Sequence, residues 1–229
     1  MSKTAIAILA SGSGTTAEAF IRHMVTEQYD FNVPLMVCNN TSAGVFDRIA
    51  QLNDGLGLDI HAELINGRTH PAAINEHVEP SYQTIAEQQA LLDAFETHGI
   101  ELVILLGFMK HISVRIVETY GWLPEYTSIY QARMLNTHPG LLPATKGLFG
   151  VHVQEAVLRQ AVPQAGQSLH MVAAGYDEGP TVVEHHIVVN PGETPEELFA
   201  RVQLTEKANI ASDVAAFIAA QRHYNKGGK

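Results

Sequence analysis

An asparagine and a histidine one residue apart, Asn136 and His138, stand just ahead of Pro139 in the stretch Ala132–Gly147, ARMLNTHPGLLPATKG. The stretch begins as a strand, in which alternate side chains share a face. Met134, Asn136 and His138 therefore point one way, and Leu135 and Thr137 the other. Pro139 cannot donate to a sheet ladder, so the strand stops there. This puts an amide and an imidazole at the C-terminal end of a strand, where open α/β sheets place their ligands. The amide can give an N–H to a developing oxyanion, and the imidazole can carry a proton near neutral pH. The alternative is an Asn and a His that only close a strand before a proline turn.

Three further features have chemical types worth weighing. Ser11–Thr16, SGSGTT, lies between an apolar run and a helical pattern, and a helix N-terminus holds anions with its backbone N–H groups. Gly12, Ser13, Gly14, Thr15 and Thr16 are the candidate phosphate cradle, with an ordinary βα turn as the alternative. Gly12-x-Gly14-x-x-Ala17 also fits a dinucleotide fingerprint, but that motif needs an acid after the second strand. Asn39 and Asn40 stand there instead, so a phosphomonoester suits the loop better than NAD. Asp177 sits in AGYDEGP, a loop set by Gly175, Gly179 and Pro180; it is a catalytic candidate or a turn carboxylate. Glu206 falls in line with Val202 and Ile210 on a helix, where a carboxylate must meet a cation or a hydroxyl rather than stay dry and unpaired.

Composition bounds these readings. The 229 residues are 46% hydrophobic and 17% charged, a globular balance, and the net charge of −10 leaves no general footprint for nucleic acid. An anionic ligand therefore needs a local cationic or amide-lined pocket. The single cysteine, Cys38, rules out an intramolecular disulfide and a cysteine zinc site. No HExxH-type pair occurs among the twelve histidines, most of which read as surface residues. The N-terminal apolar run is too short and too glycine-rich for a signal peptide, and no run reaches the roughly 18 apolar residues of a membrane span. The expected location is the cytoplasm, without a membrane partner.

The elements that must position these residues alternate. Strands are expected at Thr4–Ala10, Val33–Cys38, Asp59–Ile65 and Glu101–Phe108, the last so apolar that it should be central. Helices are expected from Ala17, at Gly44–Leu52, at Ser81–Thr97 with Ile85, Leu91, Leu92 and Phe95 on its apolar face, at Ile112–Tyr120 and at Val151–Ala161. Ser168–Ala173 and Thr181–Val189 read as a later strand pair. Thr194-Pro195-Glu196-Glu197 starts a long C-terminal helix with a capping box and Pro at the first position, reaching about Gln221. The pattern predicts an α/β fold, a doubly wound and mostly parallel sheet in a single domain over residues 1–229, with residues 226–229 as a disordered tail.

The motifs resemble those of glycinamide ribonucleotide formyltransferases. LNTHPGLLP at Leu135–Pro143, Lys146-Gly147, GFMKHIS at Gly107–Ser113, SGSGTT, DEGP at Asp177–Pro180 and RVQLTE at Arg201–Glu206 follow that family's order over nearly the whole chain. The resemblance implies a Rossmann-like formyltransferase fold with an antiparallel pair near the C-terminus. It implies transfer of a formyl group from 10-formyltetrahydrofolate, a co-substrate, to the amine of glycinamide ribonucleotide in purine synthesis, with no metal and no covalent enzyme intermediate. Asn136 would bond the formyl oxygen as it becomes an oxyanion. His138 would assist that centre and the proton traffic, and Asp177 would hold His138 and, through water, help move the amine proton. An Asp beside a His favours the imidazolium, so the His138 pKa is expected above its ordinary value. Gly12 to Thr16 would hold the phosphate and Glu206 the ribose hydroxyls. Folate contacts would come from backbone groups of Met109, Lys110, His111 and Ile112, from the loop at Ala173 and Ala174, and from Arg68.

The chain departs from the family pattern in places. Thr15-Thr16 replace an Asn ending, Gly140 replaces a Ser, and Lys110-His111 replace Arg-Ile. The segment from Tyr120 to Arg133 is longer than usual; its Tyr120, Trp122, Tyr126 and Tyr130 read as a lid over the pterin, with an interface as the alternative. The rival functions are a 10-formyltetrahydrofolate hydrolase, for which a preceding regulatory domain would be expected, and a formyltransferase with another small amine acceptor. A methionyl-tRNA formyltransferase would need a second, basic domain, and a dinucleotide oxidoreductase lacks its acid. Partners are small-molecule substrates, and the chain is expected as a monomer or homodimer.

Overall fold

The computed structural model describes residues 3–227, and its centre is a seven-stranded sheet. The strands are β1 (Thr4–Ala10), β2 (Phe31–Cys38), β3 (His61–Leu64), β4 (Leu102–Leu105), β5 (Met134–His138), β6 (Gln164–Met171) and β7 (Thr181–Val188), in the order β3-β2-β1-β4-β5-β6-β7. The first five are mutually parallel, and β6 and β7 are antiparallel additions. The helices are α1 (Thr15–Thr26), α2 (Val45–Leu56), α3 (Ile85–Thr97), α4 (Val114–Tyr120), α5 (Val151–Arg159) and α6 (Pro195–Gly227).

Strand alternation sorts apolar side chains into two layers. Ile6 and Ile8 of β1, Ile104 of β4 and Leu135 of β5 pack against α1, α2 and α6. Ala7, Leu9, Leu105 and Met134 pack against α3 and α4. β4, read as central, is the fourth of seven strands, and its four residues are all buried. The doubly wound sheet, the C-terminal antiparallel pair and the long last helix are all present.

Several boundaries differ from expectation for physical reasons. α3 starts at Ile85 rather than Ser81, because Thr84 caps it: Glu87 N–H donates to Thr84 Oγ1 at 2.9 Å and Thr84 N–H to Glu87 Oε2 at 2.8 Å. Ile85, placed on the apolar face from sequence, is 59% exposed. β6 begins four residues early, so Gly166 lies inside the strand, opposite His186. α6 takes in Lys226 and Gly227, two residues of the tail expected to be disordered; the other two lie outside the described residues.

The aromatic segment is not a lid. Trp122, Tyr126 and Tyr130 pack on the α6 side of the core, with Tyr130 against Phe217 and Tyr224. Gln221 Nε2 ties the chain down by donating to the carbonyls of Tyr130 and Ala132 at 3.0 and 2.9 Å. Tyr120 is buried edge-on to Phe95. The segment thus buttresses the entry to β5. No helix among the described residues is long and apolar enough to cross a membrane.

Removing the α3 cap tests how the helix start is fixed. Thr84→Ala should cost about 1 kcal/mol in urea unfolding. An unchanged midpoint would assign the start to Glu76, whose Oε1 accepts from Ile85 N–H at 2.6 Å.

Candidate active site

β5 ends where the sequence places it, and pairing with β6 completes the site. Asn136 stands opposite His170 and His138 opposite Ser168. The loop after β6 then returns Asp177, at a left-handed φ of 55°, to the same place. Asp177 Oδ2 lies 3.5 Å from His138 Nδ1, and Asp177 Oδ1 lies 3.5 Å from His170 Nε2. Gly147 N–H donates to Asp177 Oδ2 at 3.1 Å, and Lys146 pairs with Glu178 at 2.5 Å. Lys146-Gly147 thereby anchors the loop that carries the carboxylate.

The hydrogen bonds fix the protons. Met171 O only accepts, so His170 Nδ1 donates to it at 2.9 Å, which leaves Nε2 to accept from Asn136 Nδ2 at 3.0 Å. Thr145 Oγ1 donates to Leu141 O at 3.0 Å and therefore accepts from His138 Nε2 at 2.9 Å. The neutral His138 then presents a bare Nδ1 toward Asp177. Thr145 also accounts for Gly140: a Cβ at 140 would come within 2.2 Å of the Thr145 hydroxyl oxygen.

Burial corrects one expectation. The His138 pKa is pushed below its ordinary value, not above it: burial lowers it most, Asp177 raises it, and neighbouring His170 lowers it again. His170 is lowered too, by burial against the opposing charge of Asp177. The sequence shows the carboxylate but not the desolvation of a side chain that is only 4% exposed.

A cleft of about 240 Å³ opens beside these groups, lined by Gly12 to Thr16, Asn136, His138, Asp177 and Glu206. Among the described residues no Lys or Arg lines it. Gly14 caps α1 at φ 73° with no side-chain cap, so the first N–H groups of α1 are left for a ligand. Gly14 is required by its own backbone and by Val45, whose Cγ2 a Cβ would approach to 2.5 Å. Glu206 is buried and meets hydroxyls, as expected: Thr137 Oγ1 at 3.4 Å, and Thr16. Burial pushes its carboxyl up, with Thr16 and Thr137 opposing.

A smaller cavity of about 40 Å³ adjoins the cleft, and Asn136, Tyr176 and Asp177 line both. Lys110, His111, Ile112 and Ala173 line it, whereas Met109 lines the larger cleft and Ala174 is exposed and lines neither. Two backbone donors expected for a ligand are already committed: Met109 N–H to Ser11 Oγ at 2.8 Å, and His111 N–H to Ser81 O at 2.8 Å. The Lys110 ammonium pairs with Glu87 at 2.5 Å. Arg68 lies in an exposed turn held by Asn66 Oδ1, and it lines neither cavity.

Sequence reasoning missed His170 and Thr145. The only local signal of His170 is its place inside SLHMV, an otherwise strand-like run. Gln203, one turn before Glu206, also lines the cleft, and its spacing was the available clue.

A parallel sheet whose strand ends gather an amide, two imidazoles and a buried carboxylate beside an amide-lined helix N-terminus defines an acyl-transfer class of site. The chain belongs to the formyl transferase family, whose sequence model matches residues 4–214. It is 27% identical to phosphoribosylglycinamide formyltransferase of Bacillus subtilis over 87% of each chain. To the Escherichia coli protein of that name it is 26% identical, over 89% of this chain and 82% of the other. Among solved structures, glycinamide ribonucleotide transformylase 1 from Symbiobacterium toebii matches with a TM-score of 0.76 at 26% identity, covering 95% of this chain and 89% of that one.

The two lowered imidazoles make a pH prediction. Their folded pKa values lie below the unfolded value of about 6.5, so the stability they contribute is full above that pH and is lost as pH falls through the folded values. NMR titration should find both midpoints below 6.5, and lower still in Asp177→Asn, where the one charge that holds them up is gone. An Asp177→Asn titration that matches wild type would remove Asp177 from this electrostatic role.

Proposed function

We propose that the chain transfers the formyl group of 10-formyltetrahydrofolate to the amine of glycinamide ribonucleotide, a step of purine biosynthesis. The carrying observation is that Asn136 and Asp177 face the junction of the two cavities while His138 lines the larger one. The ribonucleotide occupies the larger cleft, its phosphate on the N–H groups at the start of α1 and its ribose hydroxyls on Glu206. The folate enters the smaller cavity, with its formyl group at the junction.

The amine nitrogen attacks the formyl carbon, and the carbonyl electron pair moves onto oxygen. Asn136 Nδ2 is the fixed donor for that oxyanion, oriented by His170 Nε2. His138 is neutral near pH 7 because burial lowers its pKa, so its Nδ1 can take the amine proton. Asp177, 3.5 Å away, stabilises the imidazolium that results. The proton then passes to the folate nitrogen as the carbon–nitrogen bond breaks, which releases tetrahydrofolate and the formylated amide. No metal is used. The reading treats residues 1–229 as a single catalytic domain working in the cytoplasm on small molecules.

Two variants separate binding from chemistry. Asn136→Ala should lower kcat roughly a hundredfold or more, about 2.7–4 kcal/mol for one lost oxyanion donor; near-normal turnover would take Asn136 out of the mechanism. For the phosphate, the informative position is Gly12, where an added Cβ meets nothing within 4 Å. Gly12→Val should raise KM for the ribonucleotide at least tenfold and leave that for formyl-folate nearly unchanged. Equal rises in both would place the phosphate elsewhere. Deformylation that proceeds at the same rate without the amine would make the enzyme a hydrolase instead.

A further inference from the structure

The turn after β5 buries a hydroxyl that lines neither cavity, that of Thr145. Its Oγ1 lies 2.9 Å from His138 Nε2 and 3.0 Å from Leu141 O. A hydroxyl has one proton, and the Leu141 carbonyl takes it. Toward the ring the oxygen then offers only lone pairs, and burial keeps water from competing for them. The Thr145 backbone acts on the ring in the same sense, as an acceptor that raises its proton affinity. At the other edge of the ring, Asp177 Oδ2 stands 3.5 Å from Nδ1. A neutral imidazole has one proton for these two edges. Asp177 draws it to Nδ1, and Thr145, at the shorter distance, draws it to Nε2.

The turn holds this hydroxyl in place. Thr145 N–H donates to Leu141 O at 3.3 Å. Leu142 N–H donates to Ser168 Oγ at 3.2 Å and Ser168 Oγ to Gly140 O at 2.8 Å, which ties the turn to β6 at two points. Gly140 makes the room. A Cβ there would lie 2.2 Å from Thr145 Oγ1, 2.8 Å from Thr145 Cβ and 2.7 Å from Val153 Cγ1. Gly140 is not in the left-handed region, so space rather than backbone conformation demands glycine. The departure from Ser at 140 and the hydroxyl at 145 are therefore one feature. The hydroxyl fits against His138 only where residue 140 has no side chain.

We propose that Thr145 is a positioning residue that holds the His138 proton on Nε2 and so keeps Nδ1 free as the base, with Gly140 as its necessary counterpart. The proposal rests on the formyl-transfer reading and names how this chain readies the base of that site. With the proton on Nδ1, the nitrogen beside Asp177 would have no lone pair to offer the amine proton. Held on Nε2, the proton stays there through the cycle. Nδ1 takes the amine proton; the imidazolium then donates from Nδ1 toward Asp177 and from Nε2 to Thr145. Nδ1 afterwards gives its proton to the folate nitrogen, and the ring returns to its starting form.

The test uses the full chain and two readouts: NMR of the His138 ring nitrogens without substrates, at a pH where the ring is neutral, and kcat and KM for formyl transfer. In the wild type Nε2 should carry the proton and Nδ1 should be bare. Thr145→Val keeps the shape and removes the hydroxyl. It should move the proton in part to Nδ1 and lower kcat roughly tenfold or more, a share of the roughly hundred- to ten-thousandfold that a placed base supplies. KM for both substrates should hold. Thr145→Ser should restore both the nitrogen pattern and kcat. Gly140→Ala, which displaces the hydroxyl without removing it, should reproduce the nitrogen pattern of Thr145→Val. A wild type with the proton on Nδ1, or a Thr145→Val variant with the wild-type pattern, would overturn the proposal and leave the formyl-transfer reading standing. A loss of kcat shared equally by Thr145→Val and Thr145→Ser would do the same, because it marks a packing role. Absence of formyl transfer by the wild type would overturn both.

Discussion

The site depends on one buried carboxylate. The Asp177 side chain is 3% exposed and stands between two imidazoles at 3.5 Å. A carboxylate so far from water is costly unless hydrogen-bonded and paired. The fold supplies a backbone N–H from Gly147 and two groups able to become cations. The carboxylate in turn holds up the proton affinity of both rings against the burial that lowers it. The balance leaves His138 neutral at rest with a cation-stabilising partner beside it. That combination suits a group which must take a proton and then release it.

This arrangement requires the change of strand direction at β5. β5 is parallel to β4 on one side and antiparallel to β6 on the other. The antiparallel register sets His170 directly against Asn136, and the turn out of β6 comes back over the end of β5 with Asp177. On the parallel side, β1 and β4 lie together with their C-terminal ends at the same edge. The loops after them, SGSGTT and GFMKHIS, form the crevice expected at the carboxyl ends of such strands. Ser11 joins the two loops by accepting from Met109 N–H.

Local pattern carried much of this architecture. β1 has the bounds read from its apolar run, Met134 and Leu135 fall in opposite layers as alternation requires, and the Thr194 capping box starts α6. Glu206 was legible because an acid in an apolar stripe must find a partner, and it finds hydroxyls. What local pattern could not carry is set by contacts distant in sequence. His170 acquires its role only through pairing with β5, thirty-four positions away. The direction of the His138 shift depends on how deeply the ring is buried. Trp122, Tyr126 and Tyr130 have the composition of a lid, yet α6 supplies a surface for them on the core side. Arg68 was placed by motif alignment alone, and an asparagine turn holds it away from both cavities.

An acidic chain can offer an anion a favourable field only locally. The net charge is −10, and among the described residues no Lys or Arg lines the cleft. Arg48 donates to Ser13 O of the loop at 2.9 Å and is paired with Glu18. What remains is the field of twelve aligned peptides in α1, about half a positive charge at its N-terminus, with uncapped N–H groups facing the cleft. Glu206 stands in the same cleft and would oppose an anion if ionised. Burial raises its pKa and favours the neutral form, whose hydroxyl proton can also be given to a ribose oxygen. Desolvation thus works in one direction on both sides of the site: it favours the uncharged form of His138 and of the carboxyl that shares its cleft.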